Sequence, residues 1–158
     1  MNGQYLTILQ DSLKKKIDIL DEIQRICKYQ SEILASEPIA YDKFDQCVDD
    51  KDVCIEQLNK LDEGFELVYD RVREELQGKK ETYADWIAQT QKLITAVMEK
   101  SVAIQAQEER NKQAVEAAFQ KERQSLGKGK RSMQVARDYY RNMNNSHVVS
   151  PQFLDQKK

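Results

Sequence analysis

The chain has 158 residues, 40% apolar and 33% charged, with five Gly and two Pro; that length suits one domain, and so few turn-forming residues argue against an all-β or α/β fold. Purely apolar runs reach only three residues, far short of the ~20 that cross a bilayer, and the N-terminus lacks the basic-then-apolar order of a signal peptide, so a cytoplasmic protein without stable membrane insertion is expected. Net charge is −2 but uneven: residues 1–126 hold 18 Lys+Arg and 25 Asp+Glu, residues 127–158 hold 7 and 2, so an acidic body ends in a basic tail.

From Tyr5 to Ser36, Leu6, Leu9, Leu13, Ile17, Leu20, Ile23, Cys27 and Leu34 recur at three- and four-residue steps, which predicts an amphipathic helix. Ile19, Ile26 and Ile33 widen the stripe beyond a two-helix seam, so this helix should pack against two neighbours. Glu37 and Pro38 should stop it, because proline disfavours helical backbone in the residue before it.

A second helix should start with Asp42 as N-cap and run to Gln77 through Phe44, Cys47, Val48, Cys54, Ile55, Leu58, Leu61, Phe65, Val68, Val72 and Leu76, with Gly78 as its stop. The cluster Asp42, Asp45, Asp49, Asp50 and Asp52 lacks the loop glycine and ligand alternation of a calcium site and reads as a solvated helix start that suits the dipole. Cys27, Cys47 and Cys54 form no CxxC pair and read as free buried thiols.

Thr82 with Asp85 three residues on resembles a capping box and opens the longest helix, expected to reach Leu126. Tyr83, Trp86, Ile87, Leu93, Ile94, Val97 and Ile104 give its first half a strong apolar face; beyond Ile104 the side chains are polar or small until Phe119 and Leu126. Lengths of roughly 48, 54 and 67 Å follow from ~1.5 Å per residue, and short connections make successive helices antiparallel. The weak half of helix three then lies beside Ile26, Ile33 and Leu34 of helix one and Phe44, Val48 and Ile55 of helix two, larger side chains that it would under-cover. A partner-binding groove is expected there, lined by Val115, Ala118, Phe119, Leu126, Ile33, Phe44 and Val48. Alternatively helix three bends, or a second copy covers the surface as a homodimer.

Gly127, Lys128, Gly129, Lys130 and Arg131 read as a basic hinge, after which Ser132 could cap a short amphipathic helix carrying Met133, Val135, Ala136, Tyr139, Tyr140 and Met143. Residues 144–158 read as a flexible tail. The expected architecture is thus all-α: an antiparallel bundle or coiled coil of three long helices over residues 1–126, then hinge, short helix and tail over 127–158.

No chemistry is legible. His147, the single histidine, sits in the tail, and no phosphate-cradling glycine loop, GxSxG, HExxH or Glu-x-x-His di-iron pattern occurs. Glu108 with Lys112 reads as an ordinary surface pair. No catalytic residue, metal or cofactor is expected, and the work of the chain should be protein binding. Aromatics among the basic residues of the tail favour nucleic acid weakly, and the acidic body argues against it.

The Leu/Ile-rich helix Leu6–Leu34, the run Lys51, Asp52, Cys54, Ile55, Leu58 and Leu61 along a K-x-x-(L/I)-I-x-x-L-x-x-L pattern, the long third helix and the tyrosine-bearing segment Ala136–Met143 together resemble the FlgN-type flagellar export chaperones over essentially the whole chain. The doubled Tyr139–Tyr140 and the tail to Lys158 depart from shorter relatives. The resemblance implies a protein that binds the C-terminal segment of hook-associated proteins, prevents their premature assembly and delivers them to the export gate. It also implies that Tyr139, Tyr140, Met143 and Arg137 dock at that gate while the groove holds the client; the alternative is that in the unbound chain both tyrosines fold back and cover the groove of their own bundle, to be displaced by the client. A FliT-type chaperone of the filament cap would share the plan, and a self-associating coiled-coil scaffold is the alternative from another class.

Overall fold

The computed structural model describes residues 2–125 and 130–143, and all its regular elements are helices: α1 (Asn2–Ala35), α2 (Tyr41–Leu76), α3 (Ala84–Ser125) and α4 (Lys130–Met143). The wide apolar stripe makes α1 the central helix, with Leu13, Leu20 and Cys27 fully buried alongside Ile26 and Ile33. Both α2 and α3 lie along α1 and hardly touch each other, and α4 packs into the space between them.

Side-chain bonds fix the directions. Gln10 donates to Thr90 Oγ1 at 2.9 Å, Lys100 pairs with Asp21 at 2.6 Å and Lys121 with Glu37 at 2.9 Å, so α1 and α3 run the same way. Lys16 meets Asp62 at 2.7 Å, which together with the Cys27–Lys51 contact sets α2 antiparallel to α1. The three long helices therefore run up, down and up, and α4 turns back along α3, with Arg137 beside Glu116 and Tyr139 beside Glu108.

The helix starts differ from expectation. The cap position of α2 is Ala40, without a side-chain cap, and Asp42 lies inside the first turn, where its charge still meets the positive end of the dipole. The first intrahelical bond of α3 runs from the Ile87 N–H to the Tyr83 carbonyl at 2.9 Å, so Tyr83 rather than Thr82 caps it. Ser132 falls inside α4 instead of capping it. At the other end of α2, Gly78 takes φ +77°, a left-handed conformation that stops a helix at little cost in glycine.

The three cysteines are free and buried. Along the first half of α3, Tyr83, Trp86, Leu93 and Ile94 are only partly buried against the core. Trp86 still reaches back, donating its indole N–H to the Leu6 carbonyl at 3.3 Å. Among the described residues no helix is long and apolar enough to cross a membrane, and no group of His, Cys, Asp and Glu is placed to hold a metal ion.

Candidate groove between helices two and three

The weak half of α3 bears small side chains, so α2 and α3 leave a trough above α1 there, and α4 lies in it. Phe44, Val48, Ile33 and Val115 are buried, while Ala118 and Phe119 are partly buried against the same core. The structure brings the residues expected to line the groove together with those expected to dock elsewhere: the ring of Tyr140 lies 6.4 Å from that of Phe44, and the Arg137 guanidinium sits 3.9 Å above the Phe119 ring while pairing with Glu116 at 3.0 Å. In this state Tyr139 and Tyr140 are buried in the groove, edge to face with centroids 4.9 Å apart. Leu126, the Gly127–Gly129 hinge, the side chain of Met143 and His147 lie outside the described residues.

The floor of the groove is polar. Lys51, 0% exposed, bonds both carboxylate oxygens of Glu108, 5% exposed, at 2.7 and 2.8 Å. Glu108 is thus no surface partner of Lys112: its helix phase turns it inward, where the nearest cation comes from α2. Tyr139 closes the site, donating its hydroxyl to Glu108 Oε2 at 3.2 Å and laying its ring 4.4 Å from the Lys51 ammonium. The Lys51 ammonium also touches Cys27 Sγ at 3.8 Å, and Asn111 donates to the Cys27 carbonyl at 3.0 Å while accepting from Gln107 at 2.9 Å.

These surroundings shift the neutral groups in one direction. Burial pushes the Cys27 thiol up to about 12, against the opposing pull of Lys51. Burial first, and the Glu108 charge second, also raise Tyr139 and Tyr140 well above the ordinary phenol range. Neutral phenols and a neutral thiol therefore surround one ion pair, an arrangement suited to recognition and without a nucleophile ready for reaction.

Sequence reasoning missed Glu108 and Asn111 as interior residues, although a signal exists. Lys51 falls in the buried phase of α2 with Phe44, Cys47, Val48, Cys54 and Leu58, and Glu108 falls in the buried phase of α3 with Ile104, Asn111 and Val115. A charged residue in an apolar phase on each of two helices points to a buried pair.

The family model for FlgN protein matches residues 1–137, from the start of α1 into α4, so Tyr139 and Tyr140 fall just past the matched span. No curated protein and no solved structure matches the chain.

Proposed function

The chain belongs to the FlgN family, flagellar export chaperones rather than enzymes, and from that premise we propose that it holds the C-terminal segment of a hook–filament junction protein, keeps it from assembling early and delivers it to the export gate. Support comes from how the weak half of α3 is covered: a 14-residue helix, α4, fills the trough that the long helices leave open. A helix that short is marginal alone in water, so it owes its order to the groove and can be exchanged for another amphipathic helix.

In this reading Ile33, Phe44, Val48, Val115, Ala118 and Phe119, with Leu126, seat the client. Displaced α4 then presents Tyr139, Tyr140, Met143 and Arg137 to the gate, so release of the gate contact is coupled to client loading through competition for one site. A self-associating scaffold would bury the end of α3 between copies, whereas here α4 packs against α3 as far along as Glu116 and Phe119.

The test is calorimetric binding of C-terminal segments of hook-associated proteins to the purified chain and to its Phe119→Glu variant. Losing an aromatic contact at the groove should weaken binding roughly tenfold with the melting temperature nearly unchanged. Undiminished affinity places the client elsewhere, and a collapse of the melting temperature makes Phe119 part of the core.

A further inference from the structure

We infer that the buried Lys51–Glu108 pair is the specificity element of the groove, selecting a helix that lays a tyrosine ring over the Lys51 ammonium and donates the tyrosine hydroxyl to Glu108. This deepens the client-binding reading above by naming the chemistry of the partner: an amphipathic helix with an inward tyrosine, rather than any apolar helix of the right size. The helix seated there, α4, is the template for it.

The physical case starts from desolvation. A buried ion pair is favourable only when the remaining valences of both partners are met, and here the docked helix meets them. With α4 in place, Glu108 Oε2 accepts from both Lys51 and Tyr139, and Lys51 has the carboxylate on one side and the Tyr139 ring on another. The ring of Tyr140 stands 5.5 Å from the same ammonium. A helix offering leucine at that position would fill the volume but press hydrocarbon against an ammonium and leave a carboxylate short of a donor. The pair thereby rejects greasy helices as well as accepting aromatic ones, which is how an interface gains discrimination without added area. A second contact sets direction: the Arg137 guanidinium, two residues before Tyr139, bonds Glu116 at 3.0 Å and stacks on Phe119 at 3.9 Å. A partner helix should therefore carry a cation about half a turn ahead of its tyrosine and run antiparallel to α3, as α4 does.

The experiment uses the full-length chain carrying Tyr139→Ala and Tyr140→Ala, which weakens its own α4 as a competitor. The probes are fluorescent peptides of the Lys130–Met143 sequence with Tyr, Phe or Leu at position 139, followed by anisotropy. Tyrosine should bind about tenfold more tightly than leucine, with phenylalanine between, because a site built to bond a hydroxyl rejects the analogue lacking it. The ranking should flatten or invert when Lys51→Met and Glu108→Leu are added together. Equal binding of the three peptides, absence of binding, or an unchanged ranking in the chain without the pair overturns the inference; the first two comparisons need no alteration of the pair and so do not depend on how that variant folds. Addition of a hook-associated C-terminal segment separates the two readings. Failure of that segment to displace the tyrosine peptide, with the ranking intact, overturns the client assignment while the selectivity of the pair stands supported.

Discussion

Lys51 of α2 and Glu108 of α3 meet at 2.7 Å across a groove whose two helices otherwise hardly touch. Each charge needs the other, because Lys51 is wholly and Glu108 almost wholly shielded from bulk water. Replacing Lys51 by Met leaves a buried carboxylate without its cation and should cost about 3–5 kcal/mol, and Glu108→Leu alone should cost a similar amount. The double variant should recover most of that loss, since two apolar side chains of similar volume can replace a buried pair at little cost. Urea unfolding of the four proteins gives the coupling directly; single losses that simply add would show that the two residues act independently.

Stability elsewhere should follow burial along α1 and α2. Leu20 and Leu58 are almost wholly buried, whereas Leu67 is 75% exposed on the outer face of α2. Aspartate at position 20 or 58 places an unpaired carboxylate in the core, a cost of several kcal/mol against a total of ~5–15, and should leave the chain unfolded at 37 °C. Aspartate at position 67 should shift stability by no more than about 0.5 kcal/mol. Circular dichroism melts distinguish these outcomes, and a folded Leu20→Asp chain would contradict the central placement of α1.

Much of this architecture is legible in the sequence because it is periodic. The stripe from Leu6 to Leu34, widened by Ile26 and Ile33, marks α1 as the helix with two neighbours, and Gly78 marks the end of α2 through the one conformation that suits glycine there. Helix starts are less legible: Asp42 and Thr82 have the right chemistry for a cap, yet the chain enters α2 and α3 at Ala40 and Tyr83, one or two residues away, a margin within which helix ends ordinarily vary. The under-filled end of α3 could be read from its small side chains, and the tyrosines of α4 could be named as one candidate cover, but the choice between a docked and a released segment could not be made. Nothing local distinguishes a free α4 from a docked one, because the decision rests on contacts such as Tyr139 with Glu108, 31 residues away. Glu108 itself was hidden by Lys112 at helical spacing, which offers a sufficient surface partner to any reading that stops at one helix.

Cys27 provides a pH-dependent test of the groove floor. Burial raises its thiol from an ordinary 9 to about 12, so the fold favours the neutral form. A raised value in the folded state gives stability that is complete below pH 9 and lost as pH climbs from 9 towards 12, because the unfolded chain sheds its thiol proton first. The full contribution is on the order of 4 kcal/mol. Tyr139 and Tyr140, shifted in the same direction, add to the loss above the ordinary phenol value of 10. Urea midpoints should fall steadily between pH 9 and 11, and a Cys27→Ala chain should show a shallower decline over the first unit. Parallel curves for the two proteins would mean that the thiol ionises as readily in the fold as out of it.

The two tyrosines of α4 separate holding a client from handing it on. Both rings are buried in the groove, Tyr140 near Phe44 and Tyr139 over Lys51, so they stabilise the closed state in which α4 occupies the proposed client seat. Alanine at both positions removes the largest apolar faces of a 14-residue helix, and that helix should lose most of its hold on the groove, since buried aromatics dominate the energetics of a contact this small. A client that competes with α4 then meets less competition, and its apparent affinity should stay the same or rise by the fraction of closed state removed. Delivery should respond in the opposite sense, because the released segment would reach the gate without its aromatic anchors. Calorimetry with the purified double variant, set beside secretion of the client from cells that carry it, reads both effects in one pair of measurements. Affinity equal to or above that of the parent chain with secretion reduced is the expected result. Weaker client binding would instead place Tyr139 and Tyr140 inside the client site, holding the client together with α3, and the two helices would then share the groove rather than compete for it.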